Sequence, residues 1–257
     1  MRLIYIEMKK YLITKWSLIS LVLVAVIFVV TMYSQFNPDS SITYLVEMFI
    51  GLSHAKKLFI VAITIPLARL YVDDVNHRHL VYVLNRTSIL KYVSSKMLMS
   101  FLGAFVLSLG AFVVVMCLLL LMRIPMLTNI DQIRLIQEGF YPELIEAGRT
   151  LFVVFTYAWN YSLSVAFWNT TGLLFSSYIP NNFIPYISPF VISYYVETFS
   201  LQLPTGVNIY KLGRSHQVFH EQSIWLNQLY ITAVFLVLTS LVGYLFYRQV
   251  RRKVPYA

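Results

Sequence analysis

The sequence predicts an all-α integral membrane protein. It should have six transmembrane helices, an N-terminal amphipathic helix in the membrane interface, and a short cytosolic helix between spans two and three. Composition is the first observation behind this. Of 257 residues, 58% are hydrophobic and only 12% charged, about half the roughly 25% charge of a soluble chain. Mean hydropathy is +0.69. The second is length: several apolar runs approach or exceed the ~18–20 residues that cross a bilayer. The third is the clustering of Lys and Arg into a few segments between those runs.

The first element covers 2–14. Ile4, Met8, Tyr11 and Leu12 recur at helical spacing, and Arg2, Lys9 and Lys10 lie off their face. Such a helix lies in the interface plane with its lysines toward anionic headgroups. A basic start before an apolar stretch also describes a signal peptide. Here the run Trp16–Tyr33 is longer than a signal core and no small-x-small cleavage site follows, so it reads as a retained first span over about 16–34. After the polar QFNPDSS, the stretch 42–57 is apolar enough to lie on or re-enter the outer surface. Glu47, His54, Lys56 and Lys57 argue against its deep burial.

The second span covers about 55–72, with a kink expected at Pro66. The third covers about 97–122. Its helix is expected to begin near Ile89, after Thr87 or Ser88 as N-cap. At 1.5 Å per residue it would be ~50 Å long, so its first turns would stand below the bilayer. Residues 123–150 are polar, of mixed charge, with some helical periodicity. The fourth span covers about 151–179 and a short turn, IPNNFIP, follows. The fifth covers about 183–200 and is expected to break at Pro185 and Pro189. Residues 201–224 hold Pro204, Gly206 and Gly213 and read either as a solvated loop or as a re-entrant hairpin capping an outward path. The sixth span covers about 225–247 and the tail is RQVRRKVPYA. No internal repeat divides the chain, so 1–257 reads as one membrane domain.

Six spans put both termini on one side. Most of the 20 Lys and Arg fall in the N-terminal segment, in the connector between spans two and three, and in the tail. The positive-inside rule places those three segments in the cytoplasm of a plasma membrane. The abundant tyrosines near expected span ends, such as Tyr11, Tyr33, Tyr71, Tyr92 and Tyr247, read as interfacial anchors.

The net charge of +9 serves orientation rather than nucleic acid binding. The single cysteine, Cys117, lies in an apolar run and reads as a small buried or lipid-facing residue. There is no metal-ligand spacing, no G-x-x-x-x-G-K-[ST] phosphate loop, no H-E-x-x-H and no G-x-S-x-G, which weighs against nucleotide binding by that loop and against an enzyme. No acidic residue falls in the middle of an expected span, and Glu197 is placed at the outer end of the fifth. Ion-coupled pumps use ionisable groups at depth, so this pattern weighs against a self-powered transporter.

The fourth span is unusually polar. Thr156, Asn160, Ser164 and Thr171 share a face with Tyr157 and Tyr161 beside it, and Asn169 lies off it. The stripe reads either as interhelical hydrogen bonding or as the polar lining of a translocation path. The Asn160-Tyr-Ser and Asn169-Thr-Thr triplets lie within a span, where glycosylation does not occur.

The segment Val72–Lys96, VDDVNHRHLVYVLNRTSILKYVSSK, is a polar island between apolar spans. Asp73 and Asp74 leave the membrane. His77 and Arg78 precede an apolar patch, Leu80, Val81, Val83 and Leu84, on a short expected helix. Arg86 and Ser88 mark a turn, and Lys91, Tyr92 and Lys96 return to the membrane. Its apolar face would pack either against the membrane and neighbouring helices, or into the groove of a soluble partner.

In this order of residues the island resembles the cytosolic connector of ABC-2-type exporter permeases. In that family an acidic residue after span two leads to an apolar stretch, a basic residue with Ser, and a Tyr with Lys before span three. Asp73 or Asp74, Leu80–Leu84, Arg86 with Ser88, and Tyr92 with Lys96 match. Asn76 and His77 stand where the family often has Gly and Thr, and the acidic residue is Asp rather than Glu. The resemblance implies that the island is a coupling helix and the chain a permease. It implies a second permease, identical or homologous, and two copies of a separate ATPase that binds ATP and Mg. Small Gram-positive members export peptides or clear bacteriocins and lantibiotics from the membrane, and the exporters of phenol-soluble modulins look similar in size and aromatic richness. The implied substrate is an amphipathic, antimicrobial or cytolytic peptide. Two alternatives stand beside this reading: an immunity protein that sequesters a toxic peptide, and a secondary transporter.

Overall fold

The computed structural model describes residues 11–12, 14–36, 40–51, 54–76, 79–128, 142–200, 202–216, 218–219 and 224–253. Among these residues every regular element is helical. α1 is Lys15–Met32 and runs into a 3-10 turn at Tyr33–Gln35. α2 is Ile42–Gly51, α3 Lys56–Thr64, α4 Val72–Asn76 and α5 His79–Leu84. α6 is Ile89–Leu121, α7 Pro142–Glu146, α8 Thr150–Tyr178, α9 Ile184–Ser200, α10 Ile209–Gly213 and α11 Ile224–Lys253.

Among the described residues, 4 helices are long and apolar enough to cross a membrane: α1 with its 3-10 extension, α6, α8 and α11. They coincide with the first, third, fourth and sixth expected spans. The other two differ. Where a span was expected over about 55–72, α3 has only 9 residues. Consecutive turns carry the chain from Ile65 to Tyr71. Pro66 ends this helix rather than kinking it: it has no N–H to give the Ala62 carbonyl, which accepts instead from Ile65 at 3.3 Å in a tightened last turn. α9 has 17 residues and runs unbroken through Pro189, where a break was expected. Pro185 sits in its first turn, where backbone N–H groups have no partner within the helix to lose.

α8 is the hub. Of its apolar window 72% is buried, against 33% for α1, 39% for α6 and 22% for α11. It packs against α6, α11, α9, α2, α10 and α3. Its residues explain this. Without water to drive apolar helices together, membrane helices associate where small and polar residues let backbones approach. α8 supplies Ser162, Thr170, Gly172, Ser176 and Ser177. At Gly172 a Cβ would stand 2.8 Å from both the Pro185 carbonyl oxygen and Pro189 Cγ. Glycine there allows α9 to lie against α8. On α1, α6 and α11 the outward residues include Val22, Val26, Val30, Val113, Leu120, Leu229 and Val237, an apolar surface suited to lipid.

Two connectors fold inward. α2 is tied at its start by Ile42 N–H donating to Pro125 O at 2.9 Å and Thr43 Oγ1 donating to Met126 O at 2.7 Å. From there it runs beside α1 and α8, with the Phe49 ring tilted against Phe28 at 5.0 Å and against Phe59 at 6.0 Å. Phe59 in turn meets Phe112 and Tyr161, each at 5.3 Å. The second half of 202–216 also turns into the bundle: α10 packs on α8 and α9, and Asn208, Leu212 and Ser215 are fully buried, whereas Leu203 and Val207 are exposed.

Tyrosine placement departs from expectation. Tyr33 is exposed, as an interfacial anchor would be, but Tyr11, Tyr71 and Tyr92 are buried within the fold. Tyr71 packs edge-on to Phe246 at 5.4 Å. Contacts between elements, not proximity to a span end, decided these positions. Residues 1–10 and 13 of the expected interfacial helix lie outside the described residues.

Candidate functional site

The island folds as two short helices, α4 and α5, packed on each other, with α5 leaning on α6. Ser88 caps α6 as expected: its hydroxyl accepts from Lys91 N–H at 3.4 Å. The acidic end of the island is pinned. Asp74 Oδ2 accepts from Lys96 Nζ at 2.8 Å and from Tyr92 Oη–H at 2.9 Å. Lys96 and Tyr92 are 2% and 1% exposed. A single carboxylate thus joins α4 to two successive turns of α6. Asp73, half-buried, lies at the edge of a cavity with Arg69, Tyr11 and Trp16.

The apolar patch of α5 turns inward. Leu84 is buried, and Leu80 and Val83 pack against the core. Tyr82, Asn85, Arg86, Ser88 and Lys91 are exposed at this corner, and so is Leu90. The outward face of the island is therefore mainly polar and aromatic, with one aliphatic residue. Among the other island residues singled out from sequence, His77, Arg78 and the Val81 side chain lie outside what the structure describes.

The polar stripe of α8 divides into three. Thr156 and Thr171 turn back on their own helix, donating to Val153 O and Trp168 O at 2.7 Å each. Asn160 joins elements: its amide donates to Ser215 Oγ at 2.9 Å, and its carbonyl accepts from Gln228 of α11. Ser215 passes the link on to Thr156 O at 3.2 Å, from a backbone held at φ 63°. Ser164 lines a cavity together with Tyr161. Tyr157 is buried against the core. Asn169, off the stripe, donates to Ser100 O at 2.9 Å and Ser100 Oγ at 2.8 Å, and Ser162 meets Ser108 at 3.0 Å.

That cavity, about 30 Å³, is the focus of a charge cluster that sequence reasoning did not assemble. Lys56 Nζ lies 2.8 Å from Glu197 Oε1, and Lys57 Nζ contacts Glu197 Oε2. Lys57 also donates to Ser193 O at 3.2 Å. The Lys56 carbonyl accepts from Tyr161 Oη–H at 2.7 Å. From α10, Tyr210 places its ring 4.0 Å from Lys56 Nζ and donates its hydroxyl to Gly51 O. Arg214 follows, 3.7 Å from Glu47 Oε1. Burial pushes the Tyr210 phenol above its ordinary pKa, with Arg214 opposing the rise.

Glu47, Lys56 and Lys57 are only 5–7% exposed, which overturns the expectation that their charge keeps this stretch out of the interior. Each is paired, and buried charge is tolerated on that condition. The cluster lies level with the middle part of α6. Ser108, which meets Ser162 beside Tyr161, is about 18 Å along α6 from Lys96 and about 20 Å from Leu121 at 1.5 Å per residue. Glu197 lies one turn from the end of α9, as expected from its place in the sequence, and α9 is short. Its 17 residues make about 26 Å, less than a ~30 Å hydrocarbon core. The sequence signals were the basic pair Lys56-Lys57 beside an apolar run and a lone Glu197 in another. Neither names its partner.

Among the described residues no group of His, Cys, Asp and Glu could hold a metal ion. No family model, curated protein or solved structure matches this chain.

Proposed function

We propose that this chain is the permease subunit of an ATP-driven exporter of the ABC-2 type, working with a second permease and with separate ATPase subunits. The observation that supports this reading best is the Asp74–Lys96–Tyr92 anchor. It makes the island one unit with the base of a 33-residue helix, so a push on the island is transmitted into the bundle instead of being absorbed by a loose loop. The contact with the ATPase is made by Tyr82, Asn85, Arg86 and Lys91, the exposed corner. The substrate is an amphipathic peptide, and the island, the tail and both termini are cytoplasmic. Co-purification tests this: an ATPase subunit is retained by the wild-type chain and lost with Arg86→Glu, together with transport. If no ATPase associates, or if Arg86→Glu changes neither association nor transport, the reading fails.

The buried cluster favours a second reading, a secondary transporter, since Glu197 and two lysines at depth are the groups such proteins use. The two readings separate on energy source. Flux abolished by a proton uncoupler and insensitive to vanadate selects the second; the reverse selects the first.

A further inference from the structure

The geometry around Glu197 is that of a carboxylate receptor. Two lysines from successive positions of α3 converge on one carboxylate, one on each oxygen. A third cation, Arg214, lines the same cavity, and its Nε is buried without a hydrogen-bond partner among the described residues. Its guanidinium lies where a side chain on Gly51 would stand, 2.4 Å from the Cβ position. Among the described residues of the cluster, three cations, Lys56, Lys57 and Arg214, meet two carboxylates, Glu47 and Glu197, in an interior where charge must be compensated. The rest of the wall is mixed: Ile50, Ile60, Trp168 and Val196 give it an apolar side, and Ser164 and Ser193 add hydroxyls.

We infer that Lys56, Lys57 and Arg214 form a binding site for a carboxylate carried on an apolar body, and that Glu197 occupies this site until the ligand displaces it. As to transport, the inference rests on the permease reading, and it names the chemistry of the substrate: an acidic end on an apolar chain. The cavity as it stands holds about one water, so the ligand enters by exchange. Glu197 cannot simply leave, because two lysines would remain unpaired in the interior. An incoming carboxylate replaces it on the same two ammonium groups. Glu197 is placed to move, one turn from the end of α9 at Ser200, with its side chain 19% exposed.

The test is binding to the purified full chain in lipid nanodiscs, without any ATPase. The probes are a leucine-rich hexapeptide with a C-terminal carboxylate against its C-terminal amide, and dodecanoate against dodecanol. At least one acid should bind about tenfold tighter than its neutral twin; which pair shows the preference identifies a peptide or a fatty acid as the source. Glu197→Gln should tighten acid binding by about a further tenfold, because the resident competitor is gone. Lys57→Gln should abolish the preference, and if that chain does not fold, Arg214→Gln should reduce it. Acid and neutral twins binding alike, neither binding, or Glu197→Gln failing to tighten the acid would each overturn the inference. Failure of ATPase association refutes the permease reading and leaves this binding result untouched.

Discussion

At the residue scale, three short-range decisions govern the molecule. Asp74 accepts from Lys96 and Tyr92 together. Glu197 accepts from Lys56 and Lys57. Ser215 adopts φ 63° to reach Thr156 and Asn160. A non-glycine residue in this region is tolerated only where its surroundings fix it, and two side-chain hydrogen bonds do so here. The Asp74 site yields a quantitative expectation. Asp74→Asn removes the carboxylate 2.8 Å from the buried Lys96 ammonium, and breaking a buried pair costs about 3–5 kcal/mol. The double variant Asp74→Asn/Lys96→Met removes both charges and should recover most of that loss. Melting curves of the four chains in detergent close the cycle; equal melting of the single and double variants would show that the pair is not coupled. The acidic and basic members of the island were legible in the sequence. That Asp74, rather than Asp73, makes the buried pair was not, because the two differ only in which face of a five-residue helix they occupy.

At the element scale, the helices that stand as long apolar runs were legible, and so was the Ser88 start of α6. α3 and α9 were not, since both are shorter than the runs that contain them. Proline ends α3, whereas α9 keeps its proline because a neighbouring element makes room. That neighbour is Gly172, and its contribution is testable. Gly172→Ala places a methyl group 2.8 Å from a backbone oxygen of α9, forcing the two helices apart at a cost of about 1–3 kcal/mol. A lower melting temperature, with loosened hydrogen exchange at 185–193, is the expected result. An unchanged melting temperature would mean that α9 slides without penalty. The polar stripe of α8 shows the limit of periodicity. It identified a face, but Thr156 and Thr171 spend their hydroxyls on their own backbone while Asn160 binds two other elements. Helical spacing does not distinguish these fates.

At the scale of the whole molecule, a buried hub helix is surrounded by helices with lipid-suited outer faces. Cys117 reports on this. It is the single cysteine and is exposed on α6, among exposed Val113, Val114, Leu118 and Leu120. In a bilayer it should therefore resist a charged thiol reagent and react with a small apolar maleimide. In denaturing detergent it should react with both. Mass spectrometry of the labelled chain reads the result, and rapid labelling by the charged reagent in intact membranes would place this face in water. The sequence by itself determined the helical class, the membrane setting and four long spans, because these depend on local composition and on runs of apolar residues along the chain. Only the tertiary structure decided that Glu47, Lys56, Lys57, Glu197 and Arg214 meet around one cavity. Burial of a charge depends on whether a countercharge arrives from elsewhere in the chain. Here Lys56 and Lys57 meet Glu197 of α9, far along the sequence, and only the packing of α3 against α9 brings them together.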